Sequence, residues 1–195
     1  MHATIQKPIE EIVSYIRPGE KVFVVGCNNC AWKCHSGGEG ETEKMAERLT
    51  RRGVEVVGYT VPGPQGMSLC KLDHTRKVLQ EDYADQIAKA DSFLVLGCGQ
   101  GVHTVIDATD GGMVHPGCDT IFGGETVSAE DIEEYCSLCG ECIIEFTGGL
   151  CPEKFPCRFI KYYFHRNFTS PGKILREDTG FNFTRHGIIP VFTGY

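Results

Sequence analysis

Ten of the eleven cysteines fall into two spaced groups, and thiols at such spacings do the chemistry of metal and cluster ligation. The first group is Cys27, Cys30 and Cys34, followed at a distance by Cys70 and Cys98. The second is the stretch CSLCGECIIEFTGGLCPEKFPC, in which Cys136, Cys139, Cys142, Cys151 and Cys157 lie within 22 positions. A Cys-x2-Cys-x2-Cys run with a later Cys-Pro step is the start of a bacterial ferredoxin loop, with a longer gap before the last cysteines. Short spacings let the chain wrap a cubane corner by corner. Gly140, Gly148 and Gly149 let the backbone bring amides near the sulfurs. Zinc is the chemical rival, since Cys-x2-Cys pairs also bind that ion. Two such steps sharing a middle cysteine, plus two further thiols, suit a cubane better than one tetrahedral ion.

The composition supports this reading. With 195 residues, 41% hydrophobic and 23% charged, the chain buries a core as one domain or as one domain with a small appendage. A formal charge of -7 without a Lys/Arg cluster argues against nucleic acid. The N-terminal sequence has no apolar core of signal-peptide length and no stretch is long enough for a membrane span, so the cytoplasm is the expected location. In that reducing compartment an odd count of eleven cysteines does not read as a disulfide framework. Cys118 stands apart from both groups, and burial as a small apolar residue competes with ligation there.

The elements that must position these thiols alternate along the first two-thirds of the chain. Ile5, Ile9, Ile12, Val13 and Ile16 recur at helical spacing and predict a helix over 4–16, ended by Pro18-Gly19. KVFVVG (21–26), VEVVGY (54–59) and SFLVLG (92–97) read as strands, with helices over 42–52 and 72–90 between them. CDTIF (118–122) reads as a fourth strand. This alternation predicts an α/β fold with a parallel sheet and flanking helices, followed by the cysteine-rich region. VFVVGC and FLVLGC both end in Gly-Cys, and Cys70 follows the second strand after GYTVPGPQG. Loops leaving the carboxyl ends of parallel strands converge on one edge, so the sheet delivers thiols from three strand ends to one place.

Other motifs are weaker. GCGQG (97–101) lacks the full glycine spacing of a dinucleotide fingerprint, and SGGEGE (36–41) serves as a turn or as an anion cradle at a helix start. His35, His103 and His115 read as surface or supporting groups, because enough thiols are present without them. No base is identified for a cysteine nucleophile, so no catalytic residue is assigned.

GCNNCAWKCHSGGEGE, the isolated Cys70, LGCGQGV and CSLCGECIIEFTGGLCP-x4-C, taken together from about Lys21 to Cys157, resemble the MetV family, the cysteine-rich subunit or C-terminal domain of methylenetetrahydrofolate reductases. The resemblance implies two [4Fe-4S] clusters, in sites often described as zinc-binding, and a flavin-bearing MetF-type partner, with a further electron-transfer protein as a second partner. The implied role is a redox subunit that relays electrons to or from that flavin. Two alternatives stand beside it: a zinc-stabilised structural subunit, and a module associated with a corrinoid or folate methyltransferase. The family continues with an Asn-Gly-Pro-Cys-Gly-Gly segment, whereas this chain has no cysteine beyond Cys157.

The expected organisation is an α/β domain over 1–127 holding the first site, a cluster region over 128–160, and a docking or shielding tail over 161–195. Cys27, Cys30, Cys34 and Cys98 are assigned to the first site, with Cys70 in reserve. Cys136, Cys139 and Cys142 are assigned to the second with one of Cys151 or Cys157, of which Cys157 is preferred because the Cys-Pro step of a two-cluster ferredoxin serves the other cluster.

Overall fold

The computed structural model describes residues 1–126, together with two strands at 131–136 and 161–163. Its contacts divide the chain into two compact units, Ala3–Thr120 and Met1–His2 with Ile121–Tyr195.

The first unit is built on a four-stranded parallel sheet. Strand β2 (Lys21–Gly26) lies between β3 (Glu55–Thr60) and β4 (Ser92–Leu96), and β5 (Val114–Pro116) pairs with the far side of β4, giving the order β3-β2-β4-β5. The apolar runs are long because both faces of the sheet are covered. Successive side chains alternate between the faces. Val22, Val24, Leu94 and Leu96 pack on one side with Met45 and Leu49 of α3 (Glu39–Arg51). Phe23, Val25, Phe93 and Val95 pack on the other with Val105 and Ala108 of α6 (Gly99–Ala108). These eight strand side chains are at most 4% exposed, and each contributes about 1.5–3 kcal/mol relative to an exposed position. The result is a stiff platform for the loops at its edge.

The expected helix over 4–16 is instead a strand, β1 (His2–Gln6), and a shorter helix, α1 (Ile9–Tyr15). Pro8 decides the boundary. Its backbone stands at φ -54°, ψ 139° as the cap of α1, and a residue preceding proline is steered towards extended conformations. Ile5, Ile9 and Ile12 are all buried, so the apolar positions are as expected although Ile5 reaches the interior from a strand.

The expected helix over 72–90 divides as well. α4 (Leu72–Lys77) runs into one π-helical turn (Val78–Asp82), and α5 (Ala84–Ile87) follows after Tyr83. Tyr83 leaves the helical path at φ -122°, and its ring meets Phe23 edge-on at 5.6 Å.

The fourth parallel strand is β5, not the CDTIF stretch. Gly117 makes the change of sheet. Its N–H donates to Val95 O (2.8 Å) while its carbonyl accepts from Lys7 N (3.0 Å), and a Cβ there would stand 2.6 Å from Leu96 Cδ2. The chain then continues as β6 (Cys118–Thr126) in a second sheet of order β1-β6-β7-β8, with β7 (Asp131–Cys136) antiparallel to β6 and to β8 (Lys161–Tyr163).

Candidate metal centre at the carboxyl edge of the parallel sheet

The chain order across the parallel sheet reverses between β2 and β4. After β2 it turns through α3 to β3 on one side; after β3 it crosses to β4 on the other. Helices α3 and α6 consequently cover opposite faces, and the loops leaving β2 and β4 part over a crevice. In open α/β sheets that crevice, outside the carboxyl ends of the strands, is where ligands bind. Cys27 and Cys98 sit on the two loops that border it.

Cys27 follows Gly26 directly and is 8% exposed. Its N–H donates to Gly37 O (2.7 Å) and its carbonyl accepts from Trp32 N (3.0 Å), so the loop closes on itself at once. Gly37 is required there: a Cβ would lie 2.1 Å from Leu96 O. Cys30 opens the one-turn helix α2 (Cys30–Lys33) and is half-buried, whereas Cys34 caps its end and is buried. Burial, with smaller contributions from the neighbouring Cys30 and Cys27, pushes the Cys34 thiol up to about 11 even though Thr4 hydrogen-bonds it. A metal centre bound there would release that proton, because the thiolate is the ligand.

Cys98 caps α6 in an extended conformation, and its carbonyl accepts from Val102 N (3.1 Å). Cys70 is exposed, but Leu69 beside it is buried. Leu69 Cδ2 lies 3.6 Å and 3.0 Å from the positions that Cβ atoms on Gly97 and Gly101 would take, which ties the Cys70 loop to the Cys98 loop. Three hydrogen bonds tie it to the Cys27 loop: Asn29 Nδ2 to Ser68 Oγ (2.5 Å), Asn28 Nδ2 to Gly63 O (3.0 Å) and Gly66 N to Asn28 O (2.7 Å). The three thiol-bearing loops are therefore joined along one edge. Among the described residues, no three His, Cys, Asp or Glu side chains gather as a site for a metal ion.

Of the second group, Cys136 ends β7, opposite Gly123 of β6. Cys139, Cys142, Cys151 and Cys157 lie outside the described residues. Cys118 is buried in the α1/α3 face of the core, where its thiol donates to Ser36 O at 3.5 Å and burial raises its pKa strongly.

The histidines separate. His35 and His103 are exposed, and His35 takes a left-handed turn conformation (φ 51°) after α2. His115 is not a surface group. Its Nε2 lies 2.7 Å from Glu20 Oε1; buried Glu20 also takes hydrogen bonds from buried Ser92 Oγ and, from the solvent side, from Arg17 Nε. Glu20 and Ser92 stand where β2 and β4 begin, at the end of the sheet away from the cysteine loops. Burial pushes the Glu20 carboxyl up, but hydrogen bonds from Ser92, His115 and Arg17 outweigh it and hold the group at about 2.

The SGGEGE stretch forms the start of α3 and puts Glu39 and Glu41 in its first turn. An anion there would meet two carboxylates. A like charge at about 4 Å costs about 4 kcal/mol at an effective dielectric near 20, against roughly 0.3–1 kcal/mol gained from a helix terminus. The anion-cradle reading fails on that comparison. Sequence reasoning overlooked the half-open cleft of about 570 Å³ beside this turn, lined by Trp32, Tyr59 and Tyr83 together with the two glutamates. Its walls come from α2, α3, β3 and the break before α5, which no local spacing could bring together.

Residues 115–160 match a family model described as Methylene-tetrahydrofolate reductase C terminal. The match covers all five cysteines of the second group and links that stretch to methylenetetrahydrofolate reductases. No curated protein and no solved structure matches the chain. Among the described residues, no helix is long and apolar enough to cross a membrane.

Proposed function

We propose that this protein is an iron–sulfur electron-transfer subunit of a methylenetetrahydrofolate reductase-type complex, relaying electrons to or from the flavin of a MetF-type partner. The observation that carries the reading is the position of Cys27 and Cys98 just beyond the carboxyl ends of two adjacent parallel strands, bordering the crevice where such sheets bind ligands. The reductase match over the second cysteine group supports it independently. In donor chemistry, five thiols on three joined loops suit thiolate ligation. A cubane takes each thiolate at a separate corner, so its ligands stand further apart than those of a single ion. Cys27, Cys30, Cys34 and Cys98 would hold one [4Fe-4S] cluster, with Cys70 in reserve, and Cys136, Cys139, Cys142 and Cys157 a second.

Such clusters, when bound, supply one-electron chemistry. The chain supplies position and environment. Cys27 and Cys34 are buried, while Cys30 and Cys98 are partly open to solvent, which would leave the first site accessible to a partner. The β2–β4 platform fixes the spacing of the Cys27 and Cys98 loops, and the Cys27–Gly37 hydrogen bond keeps the first loop folded against β4.

The functional test mixes the anaerobically reduced protein with a MetF-type flavoprotein and follows the flavin's visible absorbance. Bleaching that depends on Cys27 and Cys98 is expected. A reduced, cluster-loaded protein that neither binds nor reduces the flavoprotein would refute the relay role and favour methyl-transfer partners.

A further inference from the structure

The cleft beside α3 has a composition that the redox reading does not use. Trp32, Tyr59 and Tyr83 supply three aromatic walls; Glu39 and Glu41 supply two carboxylates; among the described residues no Lys, Arg or His lines it. The place of the glutamates in the first turn of α3 accounts for their contribution to that helix. It does not account for the rings around them. Glu41 Oε2 and Trp32 Cδ1 both close on Gly38, 2.8 Å and 2.6 Å from the position that a Cβ on this glycine would take, so the carboxylate and the indole edge occupy the space that a side chain at residue 38 would need. Neither Glu39 nor Glu41 is engaged by a cation or a hydrogen-bond donor among the described residues. Tyr83 reaches the cleft through the π-helical turn that interrupts the α4–α5 path, and such turns are frequent at functional sites.

Aromatic faces attract cations through their quadrupoles, and carboxylates add full charge, so the two together select positive groups and reject phosphates. We propose that this cleft is a binding site for an organic cation of the guanidinium or quaternary-ammonium class. The volume, about 570 Å³, suits a small molecule or a single long side chain. Asn28 and Trp32 line the cleft and also belong to the loop that carries Cys27, Cys30 and Cys34, so an occupant would sit beside the candidate metal centre. The site stands on its own residues and does not depend on the redox reading.

Trp32 is the chain's single tryptophan, so its emission reports on the site directly. The full chain is titrated with methylguanidinium and tetramethylammonium at constant ionic strength, and with inorganic phosphate, using calorimetric titration as a second readout where a bound cluster quenches the indole. Saturable responses to both cations and none to phosphate are expected. Glu39→Gln with Glu41→Gln should weaken cation binding about fivefold or more, and Tyr59→Leu about two- to fivefold, with circular dichroism unchanged. Gly38→Ala should also weaken it by displacing Trp32 and Glu41. A Gly-Arg-Gly peptide that binds more tightly than methylguanidinium would place the cation on a protein side chain; the reverse order would place it on a free small molecule. No saturable response to either cation, or affinities unaltered by the two glutamine substitutions, would overturn the proposal.

Discussion

Cys27 and Cys98 leave adjacent parallel strands whose last paired residues are Gly26 and Leu96, so two thiols 71 positions apart in sequence flank one crevice. Leu69, packed over Gly97 and Gly101, brings the Cys70 loop to the same edge. If these loops hold a cluster, replacing Cys27 and Cys98 together by serine removes that cluster alone. Iron should fall from about eight to about four per chain. Full retention would remove both residues from the ligand set.

The complementary pair is Cys139 and Cys142. Serine at both should also leave about four iron per chain, and the electron paramagnetic resonance spectrum of the remaining cluster should differ from that left by the Cys27/Cys98 change. Identical residual spectra would mean that the two groups do not form separate sites.

Much of this arrangement was legible in the sequence, and the reasons differ by element. The runs KVFVVG, VEVVGY and SFLVLG announced strands because a sheet covered on both faces needs unbroken apolar stretches, and all three lie in the parallel sheet within one residue of their expected bounds. The first helix was over-extended because Ile5 fits helical spacing as well as strand burial, and Pro8 separates the two uses. CDTIF reads as a strand and is part of β6, but its place in the second sheet is not legible, because the switch at Gly117 depends on a close approach to Leu96, a tertiary contact with no local signal. The same limit hid the aromatic cleft. Its rings come from residues 32, 59 and 83, and Tyr83 faces it only because the expected helix is broken there.

Gly37 couples the first cysteine loop to β4. Gly37→Ala would place a Cβ 2.1 Å from Leu96 O, a backbone atom that cannot rotate away. The variant should lose about 1–3 kcal/mol or more of stability, and it should release iron from the first site sooner than from the second under a chelator. Unchanged thermal unfolding would show that the loop does not pack closely on β4.

Glu20 gives the fold a defined acid response. Its carboxyl is held at about 2, below the ordinary value of 4.5, so the stabilisation it confers is fully present above pH 4.5 and is lost as pH falls towards 2. Glu20→Gln should cost about 1–3 kcal/mol at neutral pH and flatten the fall in stability across that window. Denaturant unfolding at several pH values measures both. An unaltered pH profile would show that the Ser92–Glu20–His115 contacts do not stabilise the fold.

The central claim is that these thiols hold iron–sulfur clusters, and metal analysis of protein made and purified without oxygen tests it most directly. A brown protein with about eight iron and about eight acid-labile sulfide per chain is expected. Stoichiometric zinc without sulfide would contradict it and make the cysteines a structural zinc framework.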